Sequence, residues 1–170
     1  MRYLLIDRIT ALEPPELARA VKCVSLADDV FAEHFPGHPV MPGALLVEAL
    51  AQLGGVLLEA AVRQQGNTEE LHALLTIIER AKFRRMVRPG DRLRLEARVV
   101  RASADGGQIR GVVRLDPAEP PASRDAGAGD PSLAAEADLT FALVVVRNPS
   151  VIARRREIVN TWLYGSAEEP

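Results

Sequence analysis

Residues 43–58 read Gly-Ala-Leu-Leu-Val-Glu-Ala-Leu-Ala-Gln-Leu-Gly-Gly-Val-Leu-Leu, with Glu48 and Gln52 as the only strongly polar side chains. The run is too long for a strand and lacks a period of two, so it reads as a helix. A helix that is apolar nearly all round must be buried, and the rest of the chain must therefore supply a surface to cover it. Pro42-Gly43 marks its start, because proline pre-sets φ and tolerates the loss of an N–H in a first turn. Gly66-Asn67 marks its stop, which predicts a helix over about 43–64. Gly54-Gly55 costs it about 1 kcal/mol of helix propensity per glycine, an expense that close packing against a sheet would explain. In length and apolarity residues 39–62 approach a membrane span. Glu48, Gln52, Glu59, the Pro42-Gly43 start and the lack of a second such segment favour a buried helix of a soluble, cytoplasmic protein. No signal-peptide pattern precedes it, since Asp7 and Arg8 cut the first apolar run short.

The flanking sequence alternates as strands do. Residues 4–12 read as a strand or a strand plus turn and 17–26 as a second strand after the Glu13-Pro14-Pro15-Glu16 turn, with 28–33 a short connection of about one helical turn. Four more strands are expected over 71–83, 92–100, 108–115 and 133–146. In the third of these Ile109, Gly111, Val113 and Leu115 share a face; in the fourth Ala135, Ala137, Leu139, Phe141 and Leu143 do. The order strand, strand, helix, four strands predicts an α+β layer arrangement. Residues 116–132 are rich in Pro, Ala, Gly and Asp and are expected to form a flexible loop insertion. After Asn148-Pro149, Ser150 can cap a last helix with an apolar stripe of Val151, Ile152, Ile158, Val159 and Trp162. The expected division is therefore a domain over 1–147 and a helical tail over 148–170. A length of 170 residues suits a single core, and a net charge of −2 argues against bulk nucleic-acid binding. The single Cys23 excludes an internal disulfide and reads as a small core residue.

A carboxylate inside an apolar helix needs an explanation. If Glu48 is unpaired and buried, its pKa rises, and beside the loop His34 it outlines a general-acid and general-base pair. The free N–H groups at the helix start near Gly43 can polarise a carbonyl oxygen. The alternative is a structural Glu48 bonded to Gln52, one helical turn away on the same face, with His34 an ordinary loop residue. His34 and His38 do not make a metal pair, because Phe35-Pro36-Gly37 cannot hold helical spacing. His38 is expected in solvent, and His72 on a strand or the surface.

The run His34-Phe35-Pro36, Pro39-Val40-Met41-Pro42-Gly43, Glu48-Ala49 and Ala51-Gln52 closely resembles the active-site segment of FabZ-type 3-hydroxyacyl-(acyl-carrier-protein) dehydratases. Arg2-Tyr3-Leu4-Leu5-Ile6-Asp7-Arg8-Ile9 and Lys82-Phe83-Arg84-Arg85 to Val87-Arg88-Pro89-Gly90-Asp91 agree with it, so the resemblance spans residues 2–147. It implies the hot-dog fold, a long helix wrapped by an antiparallel sheet, here with a C-terminal helical extension. It also implies a homodimer whose sheets join edge to edge, often assembled further as a trimer of dimers. His34 matches the family's base and Glu48 its acid, facing each other from different subunits. Gly43 matches the glycine whose N–H binds the thioester carbonyl, and Gln52 a residue that orients the acid; a core amide satisfied by backbone is the plain alternative for Gln52. The implied reaction removes water from a (3R)-3-hydroxyacyl thioester to give a trans-2-enoyl thioester, in fatty acid or related lipid or polyketide synthesis, with no cofactor or metal. Glu48 favours simple dehydration, since the related dehydratase-isomerases carry Asp there. The chain departs from the family at Glu33, where glycine is usual, at His38, and in its C-terminal tail. Arg80, Lys82, Arg84, Arg85 and Arg88 form either a solvated, pairing-averse sheet edge or a docking patch for acyl carrier protein. A non-catalytic hot-dog scaffold and a hot-dog thioesterase are the rival readings.

Overall fold

The computed structural model describes residues 3–116 and 130–165. Helix α1 spans Gly43–Gln64, with the start and stop that Pro42-Gly43 and Gly66 predict. Six antiparallel strands wrap it: β1 (Arg8–Glu13), β2 (Leu17–Cys23), β3 (Leu71–Phe83), β4 (Arg92–Ser103), β5 (Gly106–Leu115) and β6 (Leu133–Val145). Their order across the sheet is β1-β2-β4-β5-β6-β3, which puts β3 at an edge although it lies mid-chain. A single helix against one curved sheet is the hot-dog arrangement that the resemblance implies. The expected insertion over 116–132 falls largely outside the described residues.

Alternation decides which face of each strand meets α1. Leu93, Leu95 and Ala97 of β4, Ile109 and Val113 of β5, and Ala135, Ala137, Leu139 and Phe141 of β6 are buried against it. From the helix Leu46, Leu50, Leu53, Leu57 and Leu58 are almost wholly buried. Each contributes about 1.5–3 kcal/mol relative to an exposed side chain. Although 18 residues of α1 average a hydropathy of 1.7, 78% of that window is buried inside the protein. Two glycines set how closely helix and sheet approach. A Cβ on Gly54 would stand 2.8 Å from Ile109 Cγ1, and one on Gly111 2.8 Å from Leu50 Cδ1.

The opposite face of the sheet is a ladder of ion pairs. Glu96 of β4 accepts from Arg19 Nε of β2 and from Arg98 Nε, each at 2.9 Å. Asp138 of β6 accepts from Arg110 Nε of β5 at 2.7 Å and lies 3.3 Å from Arg80 of β3. Partial burial pushes the Glu96 carboxyl up, but hydrogen bonds from Arg19 and Arg98 and their charges outweigh it and hold the group below 4.5. Hydrogen bonds from Ser132 and Arg114 hold Asp130 at about 2, down from 3.8.

Several expectations are corrected. The first strand begins at Arg8 rather than residue 4, because the backbone before it bonds elsewhere. Cys23 is exposed rather than a core residue: the alternation that turns Ala18 and Ala20 inward turns Arg19 and Cys23 outward. Helix α2 spans Pro149–Tyr164, and its cap is Asn148, not Ser150; the Asn148 side chain accepts from the Ser150 and Val151 N–H groups. Trp162 is buried, but Val151 is 46% exposed, so the apolar stripe is only partly used. The Arg154-Arg155-Arg156 run ties this helix to its surroundings. Arg155 Nη2 donates to Glu59 Oε1 of α1 at 3.2 Å, and Arg156 pairs with Glu70.

Two measurements test this packing. Alanine exceeds glycine in helix propensity by about 1 kcal/mol, yet Gly54→Ala is expected to destabilise by about 1–3 kcal/mol because Ile109 is fully buried and cannot yield. At Gly55 the nearest atom to a new Cβ is Ala73 Cβ at an ordinary 3.4 Å, so Gly55→Ala should be neutral or stabilising in denaturant unfolding. For the ladder, both carboxyl pKa values are lowered by folding. Their stabilisation is complete above 4.5 and 3.8 and is lost as pH falls through the folded-state values. Melting temperature should thus drop below pH 4.5, less steeply in Glu96→Gln with Asp130→Asn; parallel slopes would refute the assignment.

Candidate active site

The loop before α1 is held by its own backbone. His34 N–H donates to Val30 O at 3.1 Å, Val40 N–H to His34 O at 2.9 Å, and Met41 N–H to Val87 O at 2.8 Å. Between them Phe35 and His38 exchange hydrogen bonds of 3.2 and 2.9 Å across the tip, where Gly37 takes a φ of +75°. That backbone value is open to glycine and strained for most other residues.

The loop also sets the chemistry of His34. Its Nδ1 lies 2.7 Å from the Val40 carbonyl oxygen. A carbonyl only accepts, so Nδ1 carries the proton and neutral imidazole presents the Nε2 lone pair. Phe35 stacks on the ring at a centroid distance of 4.1 Å. This is the tautomer a general base needs, and it is fixed by one backbone contact.

His34 and Gly43 line one open groove of about 480 Å³, walled by Met41, Phe83, Arg84 and Arg85. Gly43 is the first residue of α1, so its N–H has no intrahelical partner. A Cβ there would lie 2.7 Å from the Phe83 ring, which closes over the helix start. A carbonyl oxygen placed in the groove would meet the first-turn N–H groups and the positive end of the helix dipole.

Glu48 is not among the residues lining that groove. It is half-buried, and its Oε1 accepts from Gln52 Nε2 at 2.9 Å. Of the two arrangements considered for Glu48, the hydrogen bond with Gln52 is the one observed. Gln52 is itself held at both ends: Nε2 also donates to Tyr3 O at 2.9 Å, and Oε1 accepts from Leu5 N–H at 3.0 Å. Residues 3–5 give Gln52 the backbone groups a strand would have used, and Glu48 Oε2 is left for other partners. Within one chain the structure thus brings His34 to Gly43, and Gln52 to Glu48, but does not bring the two pairs into one groove.

Other candidates find plain positions. His38 and Glu33 are exposed, and His72 lies on β3. Arg80 pairs with Asp138, and Arg84 with Glu136 at 2.8 Å. Lys82, Arg85 and Arg88 make no ion pair among the described residues. No group of three or more His, Cys, Asp or Glu stands ready for a metal among the described residues. The roles of Met41 and Phe83 as groove walls were not read from sequence; both lie in the segments that carry the resemblance.

Gln52→Leu should cost about 1–3 kcal/mol, since it leaves partly buried partners unpaired. Denaturant unfolding measures this, and a variant as stable as the parent would show that the Tyr3–Leu5 clamp contributes nothing.

A family model described as a FabA-like domain matches residues 1–116. The chain is 43% identical over 114 residues to 3-hydroxyacyl-(acyl-carrier-protein) dehydratase FabZ of Geobacillus sp. (strain WCH70), covering 67% of this chain and 76% of that protein. It is 37% identical over 149 residues to the protein of the same name from Caulobacter sp. (strain K31), covering 88% and 80%. Among solved structures, an acetyl-CoA-bound protein of Streptococcus mutans UA159 superposes with a TM-score of 0.57 at 13% identity, covering 83% of this chain and 90% of that one. A thioesterase of Haemophilus influenzae superposes with 0.54 at 14%, covering 83% and 80%. At such identities these two likenesses are of fold.

Proposed function

The chain belongs to the FabA-like family, and from that premise we propose that it dehydrates (3R)-3-hydroxyacyl thioesters carried on acyl carrier protein. The reaction yields trans-2-enoyl thioesters for fatty acid or related lipid synthesis in the cytoplasm. Its likeness to FabZ dehydratases over most of its length supports the reaction class. The single observation that carries the chemistry is the His34 Nδ1 contact to Val40 O, which leaves Nε2 as a base beside the start of α1.

In this reading His34 Nε2 takes the α-proton while the Gly43 N–H stabilises the enolate oxygen that develops on the thioester carbonyl. Glu48, protonated, gives its proton to the 3-hydroxyl, so the C–O bond breaks, a C=C bond forms and water leaves. Gln52 holds Glu48 Oε1 and so orients Oε2. Because Glu48 does not line the His34 groove of its own chain, a second copy supplies the acid. The edge strand β3 supports that assembly: Leu74, Ile77, Ile78 and Phe83 are each more than half exposed along it. Such an edge is a template for pairing with another chain. A trimer of such dimers is the further assembly that we propose. Arg84 and Arg85 line the groove, and we assign them, with Lys82 and Arg88 nearby in sequence, to docking the acidic carrier protein.

The test is to incubate purified protein with a short (3R)-hydroxyacyl thioester and follow enoyl product and free thiol together. Enoyl formation should fall by about 10²–10⁴-fold in His34→Ala and in Glu48→Gln. Mixing the two inactive variants under conditions of subunit exchange should restore roughly a quarter of the activity, because one site of each mixed dimer is then intact. Free thiol in place of enoyl product would refute the dehydratase, and no recovery on mixing would refute the shared site.

A further inference from the structure

The outward face of β2, β4 and β5 is unevenly charged. Alternation turns Arg19, Arg92, Arg94, Arg98, Arg110 and Arg114 to that side, and Glu96 is the only acid in these strands. In the β4–β5 register Arg98 stands directly opposite Arg110, and Arg94 directly opposite Arg114. Like charges so placed are destabilising.

The two facing pairs are not equally compensated. Arg98 Nε donates to Glu96 at 2.9 Å and Arg110 Nε to Asp138 at 2.7 Å, so each member of the first pair has a carboxylate. In the second pair Arg114 Nε donates to Asp130 at 3.1 Å, but Arg94 makes no ion pair among the described residues. This second pair lines a cavity of about 300 Å³ on the outer face, together with Arg19, Arg92, Glu96 and Asp116. Four arginines there face two carboxylates. Arg19 gives only its Nε to Glu96, at 2.9 Å, and Arg92 Nη1 stands as far as 3.6 Å from Asp116. A guanidinium carries five N–H donors, so most of the donors around this hollow are uncommitted among the described residues.

That imbalance selects a ligand. A formal excess of two positive charges matches a dianion, and the planar guanidinium fork fits phosphate oxygens two at a time. A phosphate monoester carries about −1.5 to −2 charges near pH 7, whereas a carboxylate or a phosphate diester carries one. The volume lies at the lower end of the range for small-ligand sites, about 300–1,000 Å³, which suits a phosphate with little attached.

We propose that this hollow binds a dianionic phosphate group, as free phosphate or at the end of a small monoester, held chiefly by Arg94 and Arg114. Bound phosphate cancels the repulsion between the two arginines, so the ligand strengthens the β4–β5 pairing that they weaken by themselves. The hollow shares no residue with the His34 groove, and pairing through the β3 edge leaves it open. It therefore stands independently of the dehydratase reading.

Calorimetric titration and thermal unfolding of the full chain test this at fixed ionic strength, with inorganic phosphate, glycerol phosphate, dimethyl phosphate and acetate as probes. The two dianions should bind and raise the melting temperature, and the two monoanions should do neither. Tighter binding of glycerol phosphate than of inorganic phosphate assigns the site to a monoester, and the reverse order assigns it to free phosphate. Arg94→Gln should weaken binding by about tenfold or more. Without phosphate the same variant should melt no lower than the parent, because it relieves the facing charges. Arg98→Gln removes an equal charge outside the cavity and should keep the affinity within about twofold. Equal responses to dianions and monoanions, equal losses in the two variants, or a lower melting temperature of Arg94→Gln without phosphate overturns the proposal.

Discussion

Burial of α1 is the constraint on which the rest of the structure depends. A 22-residue helix with an apolar surface on nearly every side cannot be covered by one neighbour. Five strands contact it, and Leu5 and Ile6 before β1 and Trp162 of α2 join the same core. The fit is close enough to be set by single atoms: Gly54 admits Ile109, and Gly111 admits Leu50. With the inner face committed to α1, the outer face of the sheet is free to carry charge. Glu96 and Asp138 there each bind two arginines and tie neighbouring strands together.

The polar residues of α1 are where that packing is interrupted, and each interruption is matched by backbone. Gln52 reaches a segment 47 residues earlier in the chain, whose amide and carbonyl groups are unpaired because it is not yet a strand. Glu59 accepts from the Ala73 N–H of β3 and from Arg155 of α2. Glu48 is held through Gln52. A site built this way is rigid at little cost, since every buried partner is satisfied within the fold. The same geometry keeps His34 and Glu48 out of one groove within a single chain, which is the separation that the proposed two-copy site is meant to resolve.

Helix α2 adds to the domain in a specific manner. Its arginines clamp Glu59 and Glu70, and its tryptophan joins the main core beside Leu45. Ile158, Val159 and Leu163 pack against the same core, so apolar contacts and ion pairs together hold the helix in place. Thr161 and Trp162 of this helix help to line a half-open, largely apolar cavity with residues 4–7 and 27–31.

How much of this was legible in the chain follows from the range of each interaction. The span of α1, its start at Pro42-Gly43, the inward faces of β4 to β6 and the motif from His34 to Gln52 could be read directly, because periodicity and helix-start chemistry are local. Even the exposure of Cys23 was implicit in the alternation that buries Ala18 and Ala20. Other features arise only where distant segments meet. Gln52 is clamped by Tyr3 and Leu5, β3 lies at the sheet edge with Ile77 and Ile78 about half exposed, and Met41 lines two cavities. The sequence by itself determined which elements form and where the motif from His34 to Gln52 falls on them. Tertiary structure decided which of those residues share a groove, because strand order and side-chain partners depend on contacts between segments far apart in the chain.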